Sequence, residues 1–153
     1  MRATPDKILH GHPVEFRIHD GPIVTVTIGP SSVSLDRVAT VPEDRVGASF
    51  AAAVGVESLI NTGNYPTFVD ARILAYTLKL EPQETFQFRT PAGVFVSDVY
   101  HVRLSLDGID YDDFVIASDL EDYPCKCLLG RRFLERLRFM YDGPKHELIY
   151  SGP

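Results

Sequence analysis

Two short stretches of this 153-residue chain combine residue types that could do chemistry. In the first, a predicted strand ending at Ile60 leads straight into the polar turn Asn61-Thr62-Gly63. An amide, a hydroxyl and a glycine in one turn can hold hydrogen bonds and let another backbone approach closely. In the second, an apolar pair precedes Gly130 and a predicted helix. Taken alone, the first stretch is also typical of a plain β-turn, because asparagine and glycine both favour turns.

The histidines and cysteines form no metal or redox motif. His10 and His12 lie two residues apart in an N-terminal segment that lacks the cysteine or carboxylate partners of a metal site. Cys125 and Cys127, the only two cysteines, have the wrong spacing for a zinc knuckle or a thioredoxin-type pair. We therefore predict no metal site and interpret both cysteines as packing residues.

Strand patterns dominate the elements that must position the two stretches. Residues 23–28 alternate apolar side chains with threonine between two Gly-Pro pairs, which predicts a strand. Residues 100–106 alternate with period two and end at Asp107-Gly108, a strong hairpin signal, after which residues 109–111 resume the alternation. Further β-rich stretches predict a second hairpin over 85–99 with its tip at 90–93, a buried strand at 114–116 and a terminal strand at 147–150.

Helix signals are few. Apolar residues from Ile73 to Leu78, with Asp70 as a helix N-cap, predict one short helix over residues 69–80. Residues 131–138 predict a second helix, with its arginines largely in solvent. Residues 30–53 predict a long excursion with one helical turn at 50–54. The sequence thus predicts one mainly β domain at residues 21–153, preceded by a flexible segment at 1–20.

The order and spacing of the two stretches resemble the retropepsin-like aspartic proteases. In that family a strand delivers an Asp-Thr-Gly turn to the interface of a dimer. A later apolar-apolar-Gly segment, here Leu128-Leu129-Gly130, then packs beside the turn and continues into a helix. The resemblance extends from about Gly21 to Tyr150. It implies a closed acid-protease β-barrel with one or two short helices, assembled as a homodimer without metal or organic cofactor.

The chain departs from the family at the position of the catalytic aspartate, which is Asn61. Aspartic proteases hold two carboxylates about 3 Å apart, where they share one proton. The ionised carboxylate takes a proton from water, and the protonated one polarises the scissile carbonyl. The chain contains no Asp-Thr-Gly or Asp-Ser-Gly elsewhere, so one chain supplies only one half of such a site. A homodimer would place two Asn61 amides at its centre. Because an amide cannot serve as the base, we expect the chain to be inactive.

The resemblance also assigns the remaining site residues. Thr62 and Gly63 would support the catalytic position, and Thr62 would hydrogen-bond to its copy across the two-fold axis. The hairpin around Gly93 would form a flap that closes over an extended peptide. The residues expected to contact a peptide or protein substrate are Asn64, Tyr65, Asp70, Pro91, Ala92 and Gly93.

Two explanations for Asn61 remain open. One is deliberate replacement of a native aspartate, which is nearly isosteric and removes the charge. Asn61 and Asn64 are the only asparagines in the chain, which favours this explanation. The other is a natural pseudoprotease that binds peptides or dimerises, which the unusual Asn64-Tyr65-Pro66 favours. A third alternative is an unrelated small β-barrel binding protein.

Composition limits the other function classes. The formal net charge is −6 and the sequence pI is about 5.3, which argues against a partner bound through nucleic-acid phosphates. The chain contains no apolar run long enough for a membrane helix, and its first residues do not resemble a signal peptide. Together with the low cysteine count, these features predict a cytoplasmic protein.

Overall fold

The computed structural model describes residues 12–17, 21–31 and 53–152, and within these ranges the chain is mainly β. The strands are β1 (His12–Pro13), β2 (Glu15–Arg17), β3 (Gly21–Pro30), β4 (Val54–Ile60), β5 (Thr67–Asp70), β6 (Glu84–Thr90), β7 (Gly93–Leu106), β8 (Ile109–Ser118), β9 (Cys127–Leu129), β10 (Arg138–Asp142) and β11 (Glu147–Ser151). Two short helical elements accompany them: a π-helical turn at Ile73–Thr77 and helix α1 at Arg131–Leu134.

Six strands close into a barrel. Their order is β3-β4-β9-β5-β8-β7, and a pairing of β3 with β7 completes the circuit. Strand β2 extends the sheet beside β3, and β6 extends it beside β7. A separate three-stranded sheet has the order β1-β11-β10. The predicted mainly β class, closed barrel and short helices are therefore confirmed.

The alternation at residues 23–28 forms the middle of β3, as predicted. Val26 and Ile28 are fully buried, whereas Thr25 is exposed. The Asp107-Gly108 hairpin is also confirmed, because both residues have positive φ, at 46° and 82°, as a tight two-residue hairpin turn requires. The predicted strand at 114–116 is part of the longer strand β8, which pairs with β7 from Ile109 to Ile116.

The core fills the barrel. Residues from every barrel strand contribute, and α1 and the π-helical turn close it with Phe133 and Leu74. Cys127 lies in this core and Cys125 is also buried, which confirms that both cysteines pack. Burial raises the pKa of the Cys127 thiol to about 12, so it stays protonated and unreactive in the folded chain.

Both predicted helices are shorter than expected. Val69 and Asp70 belong to β5 and pair with β8, and Val69 also pairs with β9. The first helix therefore begins later than predicted. The π-helical turn that follows ends before Lys79, whose φ is positive at 51°. The second helix ends at Leu134, and Arg138 already begins β10. At Val69, Asp70 and Arg138, strand pairing overrides local helix preference.

The structure describes only part of the predicted N-terminal segment and of the excursion. Residues 12–17 form β1 and β2, which pair with β11 and β3, respectively. Val54 begins β4, so the helical turn predicted at 50–54 is wrong at that residue. Residues 1–11, 18–20 and 32–52 lie outside the described residues.

Candidate functional site

The turn at residues 61–66 joins two strands that are not neighbours in the sheet. Strands β4 and β5 flank β9, so the turn passes over the end of β9. Strand β4 pairs with β9 in parallel, and Asn61 extends this ladder by donating its backbone N–H to Leu129 O at 3.0 Å. Asn61 is therefore fixed by the barrel itself. It is half-buried, and Thr62 and Gly63 beside it are exposed.

The side chain of Asn61 has a defined orientation. Its Oδ1 accepts the backbone N–H of Gly63 at 3.0 Å. An amide nitrogen carries only donors and cannot accept this bond, so the contact assigns oxygen and nitrogen of the side chain. An aspartate at position 61 would accept the same hydrogen bond and keep the same turn.

Residues 130–132 hold the far side of the turn. Arg131 N–H donates to Asn64 O at 2.8 Å, and Arg132 N–H donates to Tyr65 O at 2.9 Å. The N–H of Gly130 donates to the buried Thr67 Oγ1 at 3.0 Å. The two stretches singled out in the sequence thus form one hydrogen-bonded unit.

Gly130 is required by close approach. A Cβ at this position would lie 2.2 Å from Pro66 O and 2.6 Å from Tyr65 O. Both atoms belong to the backbone of the turn and cannot rotate away. Only glycine therefore lets residues 65–66 pack directly on the start of α1.

Two arginines, one in α1 and one just after it, make contacts that the sequence did not predict. Arg132 is ion-paired to the buried Asp113, lies 4.3 Å from the Phe114 ring centroid, and has a raised pKa chiefly because of the Asp113 hydrogen bond. The guanidinium of Arg136 lies 3.3 Å from the Tyr111 ring centroid. The prediction of a largely solvated arginine face is therefore wrong for these two residues.

Tyr65 and Arg131 form the exposed side of the same unit. The Arg131 guanidinium carbon lies 5.9 Å from the centroid of the Tyr65 ring, an arrangement that favours a cation–π attraction. Tyr65 is 46% exposed, so its ring is accessible beside the turn. The backbone oxygens of Asn64 and Tyr65 accept hydrogen bonds that hold the start of α1.

Asp70 lies at the opposite end of β5 and uses both carboxylate oxygens within the chain. Oδ1 accepts hydrogen bonds from the backbone N–H and the Nε of Arg72. Oδ2 accepts hydrogen bonds from Arg72 Nη2 and the backbone N–H of Leu120. The Arg72 side-chain hydrogen bond is the main reason that the pKa of Asp70 falls to about 2. These contacts give Asp70 a structural role, and its contact with substrate stays a prediction.

The β6–β7 hairpin carries an aromatic face. Phe88 and Phe95 are cross-strand partners with ring centroids 5.8 Å apart, and Phe86 stacks on Phe88 at 6.2 Å. Phe88 also meets Phe68 of β5 edge-on at 6.3 Å. Phe68 is the second residue of β5, the strand that follows the turn, so the aromatic face of the hairpin packs against that strand. The spacing of Phe86 and Phe88, two residues apart in a predicted strand, was the sequence signal that could have indicated this aromatic face.

The hairpin tip is confirmed at Thr90–Gly93. The Thr90 hydroxyl accepts the N–H of Ala92 at 3.1 Å, and Gly93 has a φ of 133°, which favours glycine. Pro91, Ala92 and Gly93 are all exposed. Their predicted contact with a peptide stays a prediction.

An apolar hollow opens on the other side of the turn. Its volume is about 430 Å³, and it lies between the turn and the three-stranded sheet. Six residues line it: Pro22, Ile60, Thr62, Phe139, Tyr141 and Leu148. The exposed Thr62 therefore stands at the edge of an apolar surface.

The unit offers hydrogen-bond donors and acceptors without a carboxylate in the turn itself. A scan of protein-family models and a search of curated proteins find no match to the chain.

In the described ranges, no group of three or more potential metal ligands is present. Among the same residues, no helix has the length and apolar character needed to cross a membrane.

Proposed function

We propose that this chain has the scaffold of a retropepsin-like aspartic endopeptidase, which acts as a homodimer on extended peptides and is inactive because Asn61 replaces the catalytic aspartate. The observation that carries the proposal is the Asn61 Oδ1 contact with the Gly63 N–H, in a turn held between β4, β9 and Gly130. A carboxylate in this place would be fixed by the barrel and exposed on one side.

A homodimer would complete the site. One chain supplies one turn, and two copies related by a two-fold axis would bring their residues 61 together. The exposed Thr62 and Gly63 and the apolar hollow beside them support contact with a second copy at this place. The aromatic face of the β6–β7 hairpin would cover an extended peptide lying on the turn.

The chemistry explains the effect of Asn61. In a carboxylate pair, the ionised member takes a proton from water as the oxygen adds to the peptide carbonyl. The C–N bond then breaks, and the leaving amine takes a proton. An amide pair can neither accept the first proton nor supply the second, and general acid–base catalysis is typically worth about 10²–10⁴-fold. The scaffold would therefore bind without cleaving.

The test is restoration of activity. Asn61→Asp should form a homodimer in sedimentation and cleave members of a peptide library between about pH 3 and 7, with inhibition by pepstatin. The original chain should be dimeric and inactive under the same conditions. A monomeric Asn61→Asp variant, or one that is dimeric without cleaving any peptide, would contradict the endopeptidase proposal.

A second candidate is a pseudoprotease that only binds peptides. Tyr65 favours it, because its ring and Arg131 create a specific surface where a protease needs only a support for the turn. Binding of a peptide by the original chain, together with no cleavage by Asn61→Asp, would favour this candidate.

A further inference from the structure

The orientation of the Asn61 amide determines what a ligand at the turn would meet. Because Oδ1 is used by the Gly63 N–H, the remaining polar atom of the side chain is Nδ2, which carries two donors. Within residues 12–17, 21–31 and 53–152, no hydrogen bond from Nδ2 is present. Asn61 therefore presents donors, whereas an ionised aspartate would present acceptors.

A cation lies beside this turn, at the start of α1. Arg131 is exposed, stacks over Tyr65, and makes no ion pair with any carboxylate in the described part of the chain. The neighbouring Arg132, in contrast, is neutralised by Asp113. The turn and the start of α1 thus place amide donors and a cation without a described carboxylate partner in one hydrogen-bonded unit, in a chain whose formal net charge is −6.

We propose that the turn binds a carboxylate, specifically the C-terminal carboxylate of an extended apolar peptide, with Asn61 Nδ2 as donor and Arg131, which stacks over Tyr65 of the turn, as the cation. This inference rests on the proposed function, because the peptide lies in the groove of that homodimer. Two copies of Asn61 provide donors from both sides. A carboxylate is favoured over a neutral carbonyl because charged acceptors form stronger hydrogen bonds and are attracted by Arg131. A peptide with a free C-terminus has the form of a cleavage product.

The experiment compares two forms of one peptide. An N-acetylated apolar peptide is prepared with a free C-terminal carboxylate and with a C-terminal amide, and both are titrated calorimetrically into the original chain at pH 7 and low salt. We expect the free acid to bind about tenfold more tightly than the amide form, since a charge-assisted hydrogen bond outweighs a neutral one. In Asn61→Asp the order should reverse, because a carboxylate repels the free acid while the turn keeps its Gly63 contact.

Arg131→Gln should reduce the preference for the free acid, whereas Lys79→Gln should not. Lys79 is an exposed cation before β6, so its variant matches the loss of charge without touching the turn. Equal binding of the two peptide forms, or an unchanged preference in Asn61→Asp, would overturn this inference and leave the proposed peptide groove intact. Binding of neither form would overturn both.

Discussion

Gly130 faces the carbonyl oxygen of Pro66 so closely that a Cβ atom would lie 2.2 Å from it. This contact joins the start of α1 to the turn that carries Asn61. The nearest atoms, Pro66 O and Tyr65 O, belong to the backbone, so a side chain at position 130 could be accommodated only by moving the turn.

Gly130→Ala should therefore destabilise the protein by about 2–3 kcal/mol, the usual cost of overpacking a tight contact. Denaturant unfolding measures the change. Gly143→Ala is the matched control, because its nearest non-adjacent atom is 3.5 Å away in the side chain of Tyr141. Its effect should stay within about 0.5 kcal/mol. Equal midpoints for both variants would contradict the close-packing explanation.

Asp70 should make the stability depend on acid pH. Its pKa is lowered from 3.8 to about 2, chiefly by the Arg72 side-chain hydrogen bond, so the folded state favours the ionised form. The resulting stabilisation is present above pH 3.8 and is lost as the pH falls through 2. Allowing for the partly exposed Arg72, it amounts to about 1–2 kcal/mol.

Asp70→Asn should remove this contribution near neutral pH and flatten the stability profile between pH 3.8 and 2. Unfolding at a series of pH values measures the profile. Asp122→Asn, at an exposed position in the connection before β9, serves as the control and should leave the profile unchanged. The same slope in Asp70→Asn as in the original chain would show that the Arg72 contact does not stabilise the fold.

The sequence predicted the features that depend on local pattern. Strand alternation, the Asp107-Gly108 hairpin and the Gly93 tip were all found, because period-two burial and turn chemistry are local properties. Both helices are shorter than predicted. The start of the first is taken up by β5, whose pairing with β8 and β9 depends on residues far away in the chain.

The turn at residue 61 was singled out from the sequence, but the ion pair and the arginine–ring contacts near it were not. The contact of Arg132 with Asp113 joins residues 19 positions apart, and the sequence offered several acidic partners for that arginine. One signal could have selected Asp113: it shares the strand parity of the buried Val115, whereas Asp112 has the opposite parity and is exposed. The packing of α1 beside the turn was expected only from the resemblance carried by Leu128-Leu129-Gly130, because no local pattern of the helix itself predicts it.

The Arg132–Asp113 pair should be far more important for stability than an exposed pair. The Asp113 side chain is only 1% exposed, so Arg132→Met leaves a buried carboxylate without its cation, at a cost of about 3 kcal/mol or more. Arg103→Met is the control, because its partner Asp110 is 43% exposed, and it should cost about 0–1 kcal/mol. Similar losses in the two variants, measured by denaturant unfolding, would refute this difference.

The two faces of the β6–β7 hairpin should differ in peptide binding. Phe95 lies on the aromatic face with Phe88, and Val96 lies on the opposite face. Phe95→Ala should weaken binding of an acetylated, amidated apolar peptide about tenfold through lost apolar contact. Val96→Ala, at a residue 65% exposed, should change it less than about twofold. Fluorescence anisotropy with a labelled peptide distinguishes these outcomes, and equal effects would exclude the aromatic face as the binding surface.

The insertion of β9 between β4 and β5 has a consequence for the order of folding. Strands β4 and β5 follow each other within residues 54–70, yet the strand that separates them begins at Cys127. Their gap is filled only after most of the chain has been synthesised, and closing such long loops slows folding. The turn with Asn61 can therefore acquire its native support from β9 only after residue 129 has been synthesised.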